Sequence, residues 1–287
     1  MKKIIYLIQF LFFSILFILF KLIGYKLASS LGARIASLLG PIFRSKKIIT
    51  NNIKNLDKNI SDSEVQNIQN EMWKNYGRIL ADYVSIKNFR QSKLDQFLKI
   101  EGSEILDEIK KNKDQVVFVS GHFNNFELMA MEIERSGINL AAIYRPLNNI
   151  FLNVLMERIR KKYICKHQIK KGISGIREVI KLHKKGFSIA LMIDQRVSEG
   201  IKLNFFGKPA FTTTIPAQLV KKFDCKIVPI YIERINKFNY KIKINRPLKF
   251  EKNQSIEDIS SDLNSWLERM ILNQPSQWIW SHNRWKE

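Results

Sequence analysis

The chain has 287 residues and a hydrophobic share of 45%, enough for one large domain with a core plus a short accessory segment. Its 48 basic residues against 26 acidic ones give a net charge of +22, which favours anionic partners such as nucleic acid, a membrane surface or an acidic carrier protein. The two cysteines, Cys165 and Cys225, form no CxxC pair, which argues against a disulfide framework and fits a reducing compartment.

An uncharged apolar run lies near the start of the chain. Residues 4–20 carry no charge and are flanked by lysines, so they predict a membrane-spanning helix at the short limit of length, which Leu22 and Ile23 can extend. A cleaved signal peptide is the alternative, but the run is longer than a usual signal core and no small-residue cleavage site follows at once. More basic residues follow the run than precede it, which predicts a cytoplasmic location for the rest of the chain.

The next two segments are predicted to be helical. Residues 22–48 form a basic, weakly amphipathic stretch, which either lies on a membrane surface or packs as a connecting helix; both interpretations stay open. Ser61, three residues before Glu64, has the spacing of a capping box and opens a helix with apolar residues at helical intervals.

After Gly102 the pattern alternates between strands and helices. The predicted strands are 115–120, 139–144, 187–194, 225–232 and 240–250, and the predicted helices are 103–112, 125–136, 151–163, 172–186, 213–223 and 255–273. Such alternation is typical of an α/β fold, here a single central mixed, mostly parallel sheet flanked by helices. The apolar stretch 200–216 is predicted to be a long loop, either shaping a tunnel or lid over a ligand or packing against the sheet.

The junction after strand 115–120 places a histidine and a carboxylate together. Ligands bind at the C-terminal edge of the strands in open α/β sheets, and His122 lies at that edge. His122 and Glu127 converge if the histidine lies in the turn and the glutamate in the first helical turn, with Asn124 and Asn125 as N-cap residues. Two structural interpretations compete with a catalytic pair: Glu127 closes a capping box on Asn124, and His122 is an ordinary loop histidine.

Two further strand ends carry charged side chains. Arg145 follows strand 139–144, where a fixed guanidinium can bind phosphate or stabilise an oxyanion; a surface arginine without a task is the equal alternative. Asp194 ends strand 187–194, where it either pairs with Arg145 or anchors a loop, and structural support is favoured over direct chemistry. The tryptophan-rich tail around His282 is interpreted as packed or interfacial rather than catalytic.

Several classes of chemistry lack a sequence signature. His122 and Glu127 have no third histidine or cysteine at a recognisable spacing, which disfavours a zinc site. There is no GxSxG elbow, no Walker A loop and no GxGxxG loop. The positive charge is not accompanied by a nucleic-acid-binding motif. We therefore expect no metal, no cofactor and no nucleic-acid partner.

The segment GHFNNFE at 121–127 resembles the H-x4-[DE] motif of the late acyltransferases of lipid A biosynthesis, the lauroyl/myristoyl transferase family. The likeness continues through YRP at 144–146, DQ at 194–195, FFGKPAFTTTIPA at 205–217 and VPIYIER at 228–234. The ending PSQWIWSHNRWK at 275–286 also matches the aromatic-rich end of that family. The similarity covers nearly the whole chain, and the ordered set is far more specific than any one motif.

The resemblance implies a membrane-bound enzyme with a glycerol-phosphate-acyltransferase-like fold. Such an enzyme moves a fatty acyl group from an acyl carrier protein thioester to a hydroxyl of a lipid A precursor. His122 is then expected to act as the base and Glu127 to hold its ring nitrogen, forming the catalytic pair. The residues assigned to substrate binding are Arg145, Asp194, Gln195 and Asn125.

The predicted organisation has three parts: a transmembrane anchor at 1–23, a basic helical membrane-proximal segment at 24–100, and an α/β acyltransferase domain at 101–287. The predicted location is the bacterial inner membrane, with a single pass and a cytoplasmic catalytic domain. An acyltransferase that uses acyl-CoA to modify another lipid, such as an aminolipid or a phosphatidylinositol mannoside, stays open. A metal-dependent hydrolase is the more distant alternative.

Overall fold

Short apolar and β-branched runs form the strands of the computed structural model, which describes residues 2–286. The strands are β1 (Leu98–Glu101), β2 (Val117–Ser120), β3 (Leu140–Tyr144), β4 (His167–Lys170), β5 (Ser188–Met192), β6 (Ile201–Phe205), β7 (Lys208–Thr212), β8 (Ile227–Arg234) and β9 (Tyr240–Ile244). One sheet has the order β1-β9-β8-β2-β5-β3-β4, in which β8 and β9 pair antiparallel and the other neighbours pair parallel. The predicted mixed, mostly parallel α/β sheet is thus confirmed.

Helices cover the sheet and extend beyond it toward the N-terminus. They are α1 (Lys2–Ile23), α2 (Tyr25–Phe43), α3 (Lys46–Ile53), α4 (Asp62–Asp82), α5 (Ile86–Arg90), α6 (Ser103–Asn112), α7 (Glu127–Arg135), α8 (Ile150–Ile159), α9 (Ile173–His183), α10 (Ile215–Phe223) and α11 (Ile256–Asn273). Short helical turns lie at Tyr83–Ser85, Asp95–Phe97, Arg160–Ile164 and Pro275–Gln277. The predicted start of α4 is confirmed, because the Ser61 hydroxyl accepts the backbone N–H of Glu64 at 3.2 Å.

The stretch 200–216 is not the predicted loop. Residues in β6 and β7 form an antiparallel hairpin whose turn is Phe206–Gly207, and both turn residues have positive φ, 52° and 70°. Such a turn matches the right-handed twist of the two strands, but it usually contains asparagine, aspartate or glycine at its first position. Because Phe206 occupies that position instead, the sequence lacks the usual signal for a hairpin turn.

The strands β1 and β4 were also missed from the sequence. They lie at the two edges of the large sheet, and each has only four residues with several charged or polar side chains. Because β1 pairs with β9, the sheet begins before residue 101. Helices α3 and α4 bury apolar side chains in the same core as the sheet, among them Ile53 and Met72. The three-part division of the chain stays a prediction.

Two glycines bring α2 and α4 into close contact. A Cβ atom added to Gly77 would lie 1.9 Å from the carbonyl oxygen of Gly32, so no larger side chain fits without moving the helices apart. Helix α2 therefore packs on α4, the second of the two interpretations of residues 22–48. Its C-terminal part nevertheless leaves Leu38, Ile42 and Phe43 exposed.

Helix α1 is the candidate membrane anchor, with a mean hydropathy of 2.3. One flank packs against the rest of the protein: Phe20 is buried beside Ala28 and Ala81. Nearer the N-terminus of α1, the Asn149 side chain donates to the carbonyl oxygen of Tyr6 at 2.9 Å. The other flank exposes a stripe of large apolar residues, Ile4, Ile8, Leu11, Ile15, Ile18 and Leu22. An exposed apolar stripe of this length is suited to contact with lipid.

Candidate active site

His122 and Asp194 meet because they follow neighbouring parallel strands. Ser120 at the end of β2 is in register with Met192 at the end of β5, and each functional side chain lies two residues further on. The Nδ1 atom of His122 lies 2.7 Å from Oδ1 of Asp194, and the backbone N–H of His122 donates to Oδ2 at 2.8 Å. Two bonds from one residue to one carboxylate fix the imidazole ring in place.

The Asp194 carboxylate is fully buried, and the indole Nε1 of Trp278 also donates to its Oδ2, at 2.7 Å. Burial raises the pKa of Asp194, but its interactions with His122 and the hydrogen bond from Trp278 together hold that pKa below its usual value. An ionised Asp194 accepts the Nδ1 proton of His122, which leaves Nε2 as the basic atom. Within residues 2–286, Nε2 has no hydrogen-bond partner, and the His122 side chain is 21% exposed.

Glu127 does not hold His122. Its Oε1 accepts the hydroxyl of Tyr83 at 2.5 Å and two bonds from Arg160, Nη2 at 2.5 Å and Nε at 2.8 Å. The predicted pairing was wrong because a desolvated arginine offers a carboxylate a charged, two-pronged partner, while Asp194 already occupies Nδ1 of His122. The capping-box alternative is wrong as well. The N-cap of α7 is Phe126 rather than Asn124 or Asn125, and the backbone N–H of Asn124 donates to the carbonyl oxygen of Gln277 instead of to Glu127.

The Glu127 cluster is buried and its electrostatics are consistent with a tight ion pair. Burial acts to lower the pKa of Arg160 and is the largest single cause, but the charge of Glu127 and the interactions with Tyr83 together outweigh it and raise that pKa above its usual value. Burial, and next the charge of Glu127, raise the pKa of Tyr83 well above 10.0, so the hydroxyl keeps its proton and donates. Sequence analysis missed both partners: Tyr83 was assigned to the apolar face of a helix, and Arg160 lies in a basic run.

The two asparagines after His122 behave differently. Asn124 has a left-handed backbone with φ 41°, and its amide donates to Oε1 of Gln277 at 2.7 Å. Asn125 is fully buried, and neither its side-chain oxygen nor its side-chain nitrogen has a hydrogen-bond partner within the described chain. Because an unpaired buried amide costs about 1–3 kcal/mol, Asn125 is a candidate for bonding a ligand.

Arg145 and Gln195 lie at the same edge of the sheet, but among the described residues neither side chain makes a hydrogen bond or ion pair with Asp194. Strand β5 lies between β2 and β3, so Arg145 is separated from His122 by one strand. The predicted pairing of Arg145 with Asp194 is wrong, since the Asp194 oxygens are taken by His122 and Trp278. Arg145 is exposed, and Gln195 is half-buried.

The C-terminal tail is packed rather than interfacial. Burial is the main cause that lowers the pKa of His282 to about 4, and the positive charges of Arg284 and Arg145 add to it against the opposing charge of Asp194. His282 is therefore neutral, and its Nε2 accepts the backbone N–H of Arg196 at 3.0 Å. The tail thus holds the segment that follows Asp194. Sequence analysis placed these aromatic residues in packing but gave no sign that they reach the site.

In residues 2–286 no three histidine, cysteine or carboxylate side chains converge in a way that could hold a metal ion. The chemistry that the site offers directly is general-base catalysis, through an imidazole whose tautomer is set by a buried carboxylate.

Comparisons with known proteins agree with the sequence resemblance. A family model described as bacterial lipid A biosynthesis acyltransferase matches residues 1–287. The chain is 23% identical over 248 residues to a lipid A biosynthesis acyltransferase of Haemophilus influenzae, covering 85% of this chain and 78% of that protein. It is 22% identical to the lipid A biosynthesis myristoyltransferase of Escherichia coli, covering 86% and 76% of the two chains. With the palmitoleoyltransferase of E. coli the identity is 21%, over 91% and 86%. The chain therefore belongs to the bacterial lipid A biosynthesis acyltransferase family and is an acyltransferase.

Proposed function

We propose that this acyltransferase moves a fatty acyl chain from the thioester of acyl carrier protein to a hydroxyl of a lipid A precursor at the inner membrane. The observation that carries the proposal is the pairing of His122 with Asp194, which leaves Nε2 as the basic ring atom at the C-terminal edge of the sheet. A hydroxyl needs such a base to attack a thioester near neutral pH, and a placed base contributes roughly 10²–10⁴ in rate.

In the proposed reaction, Nε2 of His122 removes the hydroxyl proton as the hydroxyl oxygen bonds to the thioester carbonyl carbon. The Asp194 carboxylate stabilises the imidazolium that forms, through the bond at Nδ1. Negative charge moves to the carbonyl oxygen, and the unpartnered side-chain amide of Asn125 is assigned to bind it. Because that amide is fully buried, this contact requires the site to open when substrate binds. The carbon–sulfur bond then breaks, and His122 returns its proton to the leaving thiolate. The products are an ester and the free carrier thiol.

Glu127 keeps a proposed catalytic role, but of a different kind from the predicted one. Arg160 and Tyr83 fix its carboxylate through Oε1, while Oε2 has no hydrogen-bond partner inside residues 2–286. We assign Oε2 to the acceptor hydroxyl, which it orients before His122 takes the proton. The negative charge of Glu127 also favours the imidazolium, even without a direct bond.

Charge and exposure support the proposed substrates and location. Arg145 is exposed and Gln195 is half-buried, and both are assigned to substrate binding, with Arg145 contacting phosphate groups. The net charge of +22 suits binding to an acidic carrier protein and to anionic lipid. Helix α1 is proposed to cross the inner membrane once. More basic residues lie after this helix than before it, so the catalytic domain is proposed to face the cytoplasm.

The direct test supplies purified protein in mixed micelles with acyl carrier protein thioesters of several chain lengths and a lipid A precursor. Mass spectrometry should find one added acyl chain on the precursor, and His122→Ala should lose nearly all of it. Acyl-CoA in place of the carrier thioester should be a poor donor. Transfer only to another membrane lipid, or only from acyl-CoA, would contradict the proposed substrates; hydrolysis without transfer would contradict the reaction.

A further inference from the structure

The carboxylate that holds His122 is itself held by the C-terminal tail. The indole Nε1 of Trp278 donates to Oδ2 of Asp194 at 2.7 Å, and both side chains are fully buried. The same oxygen accepts the backbone N–H of His122, whereas Oδ1 faces only the imidazole Nδ1. The two oxygens of Asp194 therefore have separate tasks: Oδ2 takes two fixed N–H donors, and Oδ1 is left for the ring.

The indole has little freedom to turn away. Its ring packs edge-on against Trp280 with a centroid distance of 4.6 Å, and against Phe205 at 6.0 Å. Immediately before it, the Gln277 side chain bonds the backbone of Arg234 in β8, at 2.7 Å to its N–H and 2.9 Å to its carbonyl. Gln277 also accepts the side-chain amide of Asn124, two residues after His122. The C-terminal tail is thereby bonded both to Asp194, which holds the imidazole of His122, and to Asn124, which follows His122 in the chain.

A fixed donor on Oδ2 determines how the Asp194 carboxylate is rotated. Without it, Oδ2 would keep only the backbone bond from His122, and a fully buried carboxylate would lose one of the groups that replace water around its charge. The carboxylate could then turn about its Cβ–Cγ bond, and Oδ1 would no longer be held in line with Nδ1. Orientation of the base is what such a carboxylate contributes to catalysis.

We propose that Trp278 is a positioning residue for acyl transfer. Its N–H fixes the rotation of the Asp194 carboxylate, and through that carboxylate it fixes the tautomer and direction of His122. The role rests on the proposed function of His122 as the general base. Trp278 touches no reacting atom, and its effect belongs to the chemical step rather than to substrate binding.

Trp280 offers a matched control. It is equally buried and donates one indole hydrogen bond, at 2.6 Å, but to the backbone carbonyl of Pro275 rather than to Asp194. Trp278→Phe and Trp280→Phe each replace a buried indole with a smaller phenyl ring and remove one hydrogen bond, so both should lower the melting temperature. A phenyl ring at position 280 still packs against Trp278, so the control keeps that support. Trp278→Phe should lower kcat by about 10-fold or more with KM within twofold, which is about 1.4 kcal/mol of barrier. Trp280→Phe should keep kcat within about twofold.

A spectroscopic measurement separates this role from the proposed function. The proton between Nδ1 of His122 and Asp194 should give a downfield proton NMR signal, identified by its absence in His122→Ala. The signal should broaden or disappear in Trp278→Phe and persist in Trp280→Phe. This NMR measurement needs no substrate, so it tests the positioning role of Trp278 even if the protein proves to use other substrates.

The proposal is overturned if Trp278→Phe retains its NMR signal or its kcat, or if the two variants lose both to the same degree. Should Trp278→Phe fail to fold, 3-benzothienylalanine introduced at position 278 keeps the ring and removes only the N–H. The same two measurements then apply, with loss of signal and kcat supporting the role and retention of either overturning it.

Discussion

Replacing Asp194 by asparagine should disable the base while leaving the fold intact. The backbone N–H of His122 and the indole N–H of Trp278 both point at Oδ2, so the amide oxygen of an asparagine must take that position. Its NH₂ group is then forced against Nδ1 of His122. The ring can accept that bond only if its proton moves to Nε2, and the lone pair that should remove the hydroxyl proton is lost.

The expected loss in kcat is about 10³–10⁴-fold, or roughly 4–5.5 kcal/mol of barrier at 1.36 kcal/mol for each factor of ten. Volume and the number of hydrogen bonds are both conserved, so the melting temperature should change by only a few degrees. The assay is the initial rate of acyl transfer from acyl carrier protein to a lipid A precursor in mixed micelles, with KM measured for both substrates.

Asp82 provides the comparison, because it is equally buried and accepts bonds from Arg234 and Tyr240. Asp82→Asn should lower stability, because it leaves a buried arginine without its charged partner, but should change the chemical step little. Asp194→Asn with kcat within threefold of the unaltered protein would refute the assignment of the tautomer to Asp194. The role of holding His122 would then have to come from another group, and the contact seen in the structure would be packing only.

Three further outcomes are expected. Glu127→Gln should lower the free energy of unfolding by up to about 3–5 kcal/mol and also reduce kcat, because buried Arg160 loses its charged partner. Glu132→Gln breaks the ion pair with Arg135 on the same helix and should keep kcat. Full activity of Glu127→Gln would contradict the role of Glu127. Gly77→Ala should cost about 1–3 kcal/mol or more in denaturant unfolding, because its Cβ overlaps the backbone of α2; an unchanged midpoint would mean that the helices separate easily. The folded state lowers the pKa of His282, so on acidification the unfolded state binds a proton at this residue first, and the free energy of unfolding should fall as the pH drops from 6.5 toward about 4. His282→Gln should flatten this part of the plot of unfolding free energy against pH. If the variant shows the same pH dependence as the unaltered protein, His282 is not its cause.

The alternation of strands and helices could be predicted because it depends on local periodicity. Residues 116–119 and 189–193 are uninterrupted apolar runs bounded by polar residues, and the structure has the strands Val117–Ser120 and Ser188–Met192 in these places. The edge strand His167–Lys170 carries no such pattern, since an edge is bonded on one side only and tolerates polar residues. The order of strands, with β5 between β2 and β3, depends on contacts that no local pattern encodes.

The candidate site, too, could be predicted only where it depends on local sequence. The position of His122 could be predicted because the end of a strand is visible in the sequence. Its partner could not, since Glu127 lies five residues away and Asp194 seventy-two, and only the register of β2 with β5 decides between them. Trp278 is further still from Asp194 along the chain, and its indole reaches the carboxylate because the tail folds back over the end of the sheet.

The contacts of α1 with the rest of the protein hold this helix in a fixed orientation, unlike an anchor joined through a flexible linker. Asn149 binds it at Tyr6 and the Ala28 region packs on Phe20, two points about 21 Å apart along a helix that rises 1.5 Å per residue. A helix held at two points transmits its tilt to the whole enzyme, and α8, which begins beside Asn149, ends next to Arg160, the partner of Glu127. Under the proposed single-pass topology, an unrelated spanning helix in place of residues 2–23 should therefore restore membrane localisation without restoring the angle at which the site meets the bilayer. Such a chimera should work better on precursor dispersed in micelles than on precursor in vesicles.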